Sequence, residues 1–150
     1  MTEGVFPKVD GDVLYASEVN GFNNSMVYTG NIASMVPNQI RYVPPMGRIS
    51  TPTGTEAEVQ MIVPRSGKIS NLYAKPGTNT SSINLPLIIR INGVDTAVKV
   101  TFPAGDSSQQ TDIINTATVS AGDLISLRWI SSAGTGSITN AAFGFLLEAN

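Results

Sequence analysis

Residues 87–102 decide the fold class, because they read LIIRINGVDTAVKVTF and contain two alternating apolar and polar runs joined by Asn92-Gly93. Alternation with a period of two is typical of a half-buried β-strand. A two-residue type I′ turn needs positive φ at both central positions, which Asn and Gly tolerate best. The stretch therefore predicts a β-hairpin. Its inward residues are predicted to be Leu87, Ile89, Ile91, Val94, Thr96, Val98, Val100 and Phe102, with Arg90, Asp95, Lys99 and Thr101 facing away.

On both sides of the hairpin, from about residue 56 to the end of the chain, similar short runs alternate with turn residues. Further strands are predicted at residues 57–63, 68–75, 112–119, 125–129 and 137–150. Short strands without a convincing helix between them indicate an antiparallel sandwich, since a single sheet would leave one apolar face open to water. The predicted fold class is all-β, with an antiparallel jelly-roll-like β-sandwich over residues 46–150.

Residues 1–45 lack this alternation, and we predict that they form an irregular N-terminal arm that serves docking and assembly. Tyr15, Val19, Phe22 and Met26 follow one another at i, i+4, i+7 and i+11, which predicts one short helix. A turn that only ties the arm to the domain is the alternative interpretation. The residues predicted to make docking contacts are Phe6, Tyr15, Val19 and Phe22.

The composition argues against most enzymatic and charge-driven functions. The 150 residues include no Cys and no His, which removes disulfides, thiolate nucleophiles, zinc-thiolate sites and the commonest general base. A net charge of −2 with 13% charged residues provides no basic field for nucleic acid. We therefore expect no enzyme activity, no cofactor, no metal and no nucleic-acid partner. No signal sequence and no run of about 18 apolar residues is present, so we expect synthesis in the host cytoplasm and no membrane partner.

Some side chains could still carry chemistry, and each has a simpler structural interpretation. Asp106 and Asp123 lie in turns and could meet at one end of the sandwich to bind Ca²⁺, although Asp in a turn usually bonds its own backbone. Glu56 and Glu58 could form a glycosidase pair, but an i, i+2 pair on a polar strand face is the ordinary case. Trp129 alternates with apolar residues, which favours a place in the core over a sugar-stacking platform.

Four segments carry a resemblance to a known family. They are GKISNLY at 67–73, IRINGVDT at 89–96, VSAGDLISL at 119–127 and FGF at 143–145. Together they resemble C1q/TNF-like jelly rolls over residues 56–150, a family in which an Ala-Gly-Asp turn feeds a central strand. The C-terminal aromatic strand of that family lies near a trimer axis. The resemblance therefore implies a homotrimer with Phe143 and Phe145 at the interface between subunits.

The arm carries a second resemblance, because FPKVDGDVLYASEVN at 6–20 is similar to the opening of many structural proteins of tailed phages. This implies a virion protein that decorates the capsid or forms a head fibre or tail knob, with major capsid or tail proteins as partners. The absence of a fibre shaft favours capsid decoration or a short appendage. A receptor- or glycan-binding tail knob is the alternative, and exposed Tyr, Asn and Asp on the loops at 76–82, 103–110 and 131–137 would indicate it.

Overall fold

A computed structural model describes residues 5–7, 13–15 and 25–149, and these are mostly β-strand. The strands are β1 (Val5–Pro7), β2 (Val13–Tyr15), β3 (Ser25–Met35), β4 (Ile40–Val43), β5 (Gly47–Ile49), β6 (Met61–Ile62), β7 (Gly67–Lys75), β8 (Thr78–Asn79), β9 (Leu85–Ile91), β10 (Val94–Phe102), β11 (Gln110–Asp112), β12 (Ala117–Val119), β13 (Leu124–Ile130) and β14 (Ile138–Ala149). The one helical element in these ranges is a 3-10 turn at Glu56–Glu58. None of the described helices is long and apolar enough to cross a membrane.

Two sheets form a sandwich. In the seven-stranded sheet, β11, β7, β14, β3 and β5 lie side by side, β12 also pairs with β7, and β8 with β14. In the five-stranded sheet, β10, β9, β13 and β4 lie side by side, and β6 also pairs with β13. The pairing is antiparallel except between β3 and β5. Because the chain crosses repeatedly between the sheets, the arrangement is jelly-roll-like, and the predicted fold class is confirmed.

The core lies between the two sheets and takes side chains from both. Its largest fully buried members are Trp129, Phe102, Phe145, Ile32, Met35, Ile69, Leu72, Leu85, Leu87, Ile89, Ile125 and Leu127. Trp129 is 1% exposed, and its indole N–H donates a hydrogen bond to the Val36 carbonyl oxygen at 3.2 Å. Its predicted place in the core is confirmed. Burial of one such side chain stabilises the fold by about 1.5–3 kcal/mol. Because each alternating run places several of them on one face of a strand, packing two such faces together is strongly favoured.

The hairpin predicted from residues 87–102 is present as β9 and β10. Asn92 and Gly93 have φ values of 50° and 80°, as a type I′ turn requires. Of the predicted inward residues, Leu87, Ile89, Val98, Val100 and Phe102 are buried, Ile91 and Thr96 are half-buried, and Val94, beside the turn, is 67% exposed. The register shifts between Asp95 and Lys99, where β10 contains two more residues than the stretch of β9 that it pairs with.

The predicted boundary between arm and sandwich at residue 45 is wrong, because two strands that precede it belong to the sandwich. β3 pairs with β14 over ten residue positions, and β4 pairs with β13, so both belong to the sandwich. The buried residues of β3 are Tyr28, Ile32 and Met35, spaced by four and three. This spacing hides a strand from a search for period two. Tyr15 and Met26, the first and last residues of the predicted helix, lie in strands β2 and β3. Residues 16–24 lie outside the described ranges.

The strand predicted at residues 57–63 is also corrected. Glu56–Glu58 forms a 3-10 turn, and only Met61–Ile62 pairs as a strand, with β13. Of the four residues that alternation places on one face of this run, Val59 and Val63 are buried, at 9% and 0% exposure, whereas Ala57 and Met61 are exposed. Burial at these two positions needs no extended strand between them, so the apolar spacing alone overestimated the strand.

Candidate interaction surface

The outward face of the five-stranded sheet carries a charged network built around the buried side chain of Arg90. Arg90 is 9% exposed and its Nε donates to Glu56 Oε1 at 2.8 Å. It also pairs with Asp95, which in turn accepts a hydrogen bond from Arg128 Nε at 2.7 Å. Ser126 Oγ donates to the same Glu56 oxygen at 2.7 Å. The network therefore ties the turn before β6 to the strands β9, β10 and β13.

The electrostatics of this network indicate a structural role. Burial acts to raise the pKa of Glu56, but hydrogen bonds from Arg90 and Ser126 outweigh it and lower that pKa below its ordinary value. Glu58, the other carboxylate considered for glycoside hydrolysis, accepts a hydrogen bond from Thr53 Oγ1 at 2.5 Å and takes no part in the network. A raised pKa, which a general acid needs, is thus not found at Glu56.

The two aspartates considered for Ca²⁺ lie at opposite ends of the sandwich. Asp106 follows the end of β10 and accepts hydrogen bonds from the backbone N–H and the hydroxyl of Ser108. Asp123 precedes β13 beside the Asn92-Gly93 turn and accepts from Ser120 N–H and Asn92 Nδ2. Both carboxylates bond their own turns, so the suggestion that they meet is wrong. Within the described ranges, no group of three or more His, Cys, Asp or Glu residues is placed to hold a metal ion.

The three loops proposed for a receptor-binding knob do come together at one end of the sandwich. Thr80 N–H donates to the Ser137 carbonyl oxygen at 2.8 Å, and Gly105 N–H donates to the Ser81 carbonyl oxygen at 3.0 Å. Asn79 is 7% exposed, and its side-chain amide donates to the Pro103 carbonyl oxygen at 2.8 Å. The loops contain no Tyr, and these polar groups bond one another. They therefore form a braced end of the fold and lack the aromatic cluster that would indicate a glycan site.

The outward face of the seven-stranded sheet is different, because its centre carries no charged side chain. Thr111, Tyr73, Gly144 and Thr29 lie in one row across β11, β7, β14 and β3. Residues directly opposite one another in an antiparallel pair share a face. The charged residues of the central strands β7 and β14 lie towards the strand ends. They are Lys68, Lys75 and Glu148.

A groove crosses this face beside Tyr73, which we call the Tyr73 groove. Its larger part has a volume of about 420 Å³ and is lined by Val27, Asn71, Tyr73, Gly144, Phe145 and Leu146. A smaller depression of about 180 Å³ adjoins it along Tyr73 and Gly144 and extends towards Lys75 and Gln109. Val27 and Tyr73 are 63% and 43% exposed. Gly144 has no side chain to fill the space between the neighbouring strands, so the groove remains open.

The predicted interface residues Phe143 and Phe145 lie beneath this face. They are 5% and 2% exposed and belong to the core, where the Phe145 ring stacks on Tyr28 with the centroids 5.0 Å apart. Both rings are buried within a single chain, and their predicted place between subunits stays a prediction. The residues of β14 that a partner can reach are the ones between and beside them, Gly144 and Leu146.

The sequence interpretation did not predict a groove on this face, although a signal was present. The predicted strand 137–150 has apolar or small residues on both faces around FGFLL. A solvent-exposed strand face without charged residues is unusual and indicates an interaction surface. Of the arm residues, Phe6 and Tyr15 lie in β1 and β2, opposite Leu14 and Val5. Val19 and Phe22 lie outside the described ranges.

Comparison with known proteins gives fold-level neighbours only. No protein-family model matches the sequence, and no curated protein matches it. A family 35 carbohydrate-binding module from Clostridium thermocellum is 11% identical, covers 95% of this chain and 98% of that chain, and has a TM-score of 0.37. Eiger TNF from S. frugiperda is 13% identical, covers 80% and 93%, and has a TM-score of 0.43. A cycloisomaltooligosaccharide glucanotransferase from Paenibacillus sp. is 12% identical, covers 59% and 12%, and has a TM-score of 0.33. At these values the neighbours assign neither a family nor a function to this chain.

Proposed function

We propose that this chain is a virion structural protein that assembles as a homotrimer and docks onto capsid or tail neighbours through its N-terminal segment. The observation that carries the assembly role is the outward face of the seven-stranded sheet, whose centre has no charged side chain and contains an apolar groove. Exposed apolar surface rimmed by polar residues is typical of interaction sites. The virion assignment rests on the resemblance of residues 6–20 to the openings of tailed-phage structural proteins.

Capsid decoration or a short appendage is favoured over a receptor-binding knob by the loop end of the sandwich. The loops at 76–82, 103–110 and 131–137 satisfy one another's hydrogen bonds and present no tyrosine. A decoration protein acts through many modest contacts, whose combined strength grows with the number of subunits that bind together. Such a protein needs broad plain surfaces more than a deep polar pocket.

Glycan binding is the second candidate, and one observation favours it. Tyr73 is 43% exposed in a groove that also contains the amide of Asn71, and an aromatic ring beside a hydrogen-bonding group suits a sugar ring. The two candidates compete for the same face. A protein that is monomeric in solution and retained by a glycan through Tyr73 would favour the second and contradict the first.

The assembly role predicts that Leu146→Glu dissociates the oligomer, because it places a charge in the centre of the apolar face. We expect the mass of the purified protein, measured by light scattering, to fall from that of an oligomer to that of a 15.8 kDa monomer. The matched control is Thr101→Glu, which adds the same charge to the exposed side of β10 on the other sheet. An oligomer that persists in Leu146→Glu, or a wild-type monomer, would contradict the proposal.

The docking role predicts that removal of residues 1–24 leaves a folded oligomer that no longer binds virions lacking this protein. The sandwich strands begin at Ser25, and the core residues of the described ranges lie beyond it, so the deletion leaves these strands and side chains in place. Circular dichroism would check the fold, and co-sedimentation with particles would check docking. If the shortened protein decorates particles as well as the full chain does, the docking role is wrong.

A further inference from the structure

A separate cavity lies where β3 of one sheet meets β4 and β13 of the other, and we call it the Arg41 cleft. It has a volume of about 260 Å³, and Trp129 borders it from the core. The polar residues that line it are Ser34, Gln39, Arg41, Ser50 and Thr51. Arg41 is the one charged residue among the described residues of this lining. The Arg41 cleft is therefore polar and carries a single positive charge, unlike the apolar Tyr73 groove.

Arg41 lies on the face of β4 that is turned towards the interior of the sandwich. It is directly opposite the buried Trp129 in the pairing of β4 with β13, and residues in this relation share a face. It also alternates with Val43, which is 0% exposed. A charge on the core-facing side of a strand is costly unless a hydrogen-bonding partner lies beside it. For a guanidinium the strongest such partner is a carboxylate, which accepts two parallel hydrogen bonds.

The described part of the chain provides no carboxylate for Arg41. Its Nη1 donates a hydrogen bond at 3.2 Å to the carbonyl oxygen of the adjacent Ile40, and no described Asp or Glu forms an ion pair with it. Four further polar side chains of the cleft make no hydrogen bond to any described residue, and these are Ser34, Gln39, Ser50 and Thr51. At the loop end formed by residues 76–82, 103–110 and 131–137, by contrast, polar groups bond one another. The Arg41 cleft thus presents a guanidinium, hydroxyls and an amide that can all donate to a ligand.

We infer that the Arg41 cleft binds a carboxylate ligand. One guanidinium balances one negative charge, and its planar fork matches the two oxygens of a carboxylate. A doubly charged phosphate would remain uncompensated, because no Lys and no second Arg is found among the described lining residues. Since a cavity of about 150 Å³ holds benzene, the cleft has room for about ten non-hydrogen atoms. The inference goes beyond the assembly proposed above, because a single chain forms the cleft.

Benzoate is a probe of the right charge and size, and Trp129, the single Trp of the chain, is a fluorescent reporter at the cleft. Titration of the whole chain with benzoate should give a saturable change in fluorescence. Benzamide has nearly the same shape without the charge, and we expect it to bind on the order of tenfold more weakly. Equal binding of the two compounds, or no saturable change with benzoate, would overturn the inference.

Substitution of the guanidinium tests which group holds the carboxylate. Arg41→Gln should weaken benzoate binding on the order of tenfold or more, since a hydrogen-bonded charge is lost. Arg48→Gln is the matched control, because Arg48 is exposed on β5 and does not line the cleft, and it should bind benzoate as wild type does. Circular dichroism would check the fold of both variants. Unchanged binding by a folded Arg41→Gln protein would overturn the inference.

A second pair of variants leaves Arg41 in place, in case its replacement prevents folding. Thr51 is exposed and lines the cleft, so Thr51→Glu places a competing carboxylate at the site. We expect this variant to lose benzoate binding on the order of tenfold or more, whereas Thr51→Gln, of equal size but neutral, should keep it. Equal binding by the two Thr51 variants would overturn the role of charge in the cleft.

A final comparison identifies the source of the natural carboxylate. Residues 1–24 contain four acids, Glu3, Asp10, Asp12 and Glu18, and all four can be replaced together by the corresponding amides. Tighter benzoate binding by this variant would support a carboxylate from the N-terminal segment as the ligand, and unchanged binding would support one from a separate molecule. Leu146→Glu should bind benzoate as wild type does, so failure of the proposed assembly and failure of the cleft are distinguishable.

Discussion

Phe145→Ala is expected to lower the free energy of unfolding by about 3–5 kcal/mol, the usual cost of emptying a buried phenylalanine site. The Phe145 ring is 2% exposed and lies parallel to Tyr28, with centroids 5.0 Å apart and an interplanar angle of 1°. The substitution removes the buried ring and leaves a cavity between the sheets. Denaturant unfolding followed by the fluorescence of Trp129, the single Trp, would measure the loss.

The neighbouring residue provides the matched control for this experiment. Leu146 points to the opposite face of β14 and is only partly buried, so Leu146→Ala should cost about 1 kcal/mol or less in the free energy of unfolding. Both variants should be compared at one protein concentration, since association also contributes to stability. A Phe145→Ala protein that keeps wild-type stability but dissociates would show that this ring lies in an interface, as the family resemblance implied.

The sequence predicts best those strands that have one buried face and one solvent-exposed face. β10 has this pattern over residues 98–102 and follows a turn whose residues permit only a narrow set of backbone angles, so the hairpin was predicted, although Ile88 and Arg90 make β9 buried on both faces. β3 does not have it, because Tyr28, Ile32 and Met35 are spaced by four and three. β4 has only four residues and gives too short a pattern. Both were therefore assigned to the arm.

The candidate surface was harder to predict than the fold, because a groove depends on which strands become neighbours. Val27, Tyr73 and Leu146 are far apart in the sequence and meet only through the pairing of β3, β14 and β7. The Ala-Gly-Asp turn is a contrasting case. Its Gly122 has a φ of 95°, and the local residues alone were enough to predict the turn.

Arg90 also depends on contacts with residues distant in the sequence. Its replacement is the second substitution for which we expect a large loss of stability. The alternation correctly placed Arg90 on the outward face of β9, but alternation cannot show that Glu56, 34 residues away, covers it. Arg90→Met keeps the length of the side chain and removes the charge that faces the carboxylates of Glu56 and Asp95. Breaking a buried ion pair from one side is strongly destabilising. Since Asp95 remains 32% exposed, we expect a loss of about 2–3 kcal/mol at pH 7.

If the loss of unfolding free energy in Arg90→Met comes from the buried ion pairs, removal of an exposed charge from the same sheet should have little effect. Lys99→Met removes one exposed positive charge from β10, next to the network strands, and should change the free energy of unfolding by about 0.5 kcal/mol or less. Both variants can be compared by denaturant unfolding at pH 7. An Arg90→Met protein as stable as Lys99→Met would show that the network adds nothing to the fold.

The pH dependence separates loss of the ion pairs from loss of packing around Arg90. Burial acts to raise the pKa values of Glu56 and Asp95, but hydrogen bonds and charges from Arg90 and Arg128 outweigh burial, so both lie below the ordinary 4.5 and 3.8. Carboxylates with lowered pKa values stabilise the fold above those ordinary values, and the contribution is lost as the pH falls through the folded-state values. In Arg90→Met much of that contribution is already absent. The difference in unfolding free energy between wild type and variant should therefore be constant above about pH 5 and should narrow below it. A difference that stays constant down to pH 3 would assign the effect of Arg90 to its packing against the ring of Tyr42, whose centroid lies 5.6 Å away.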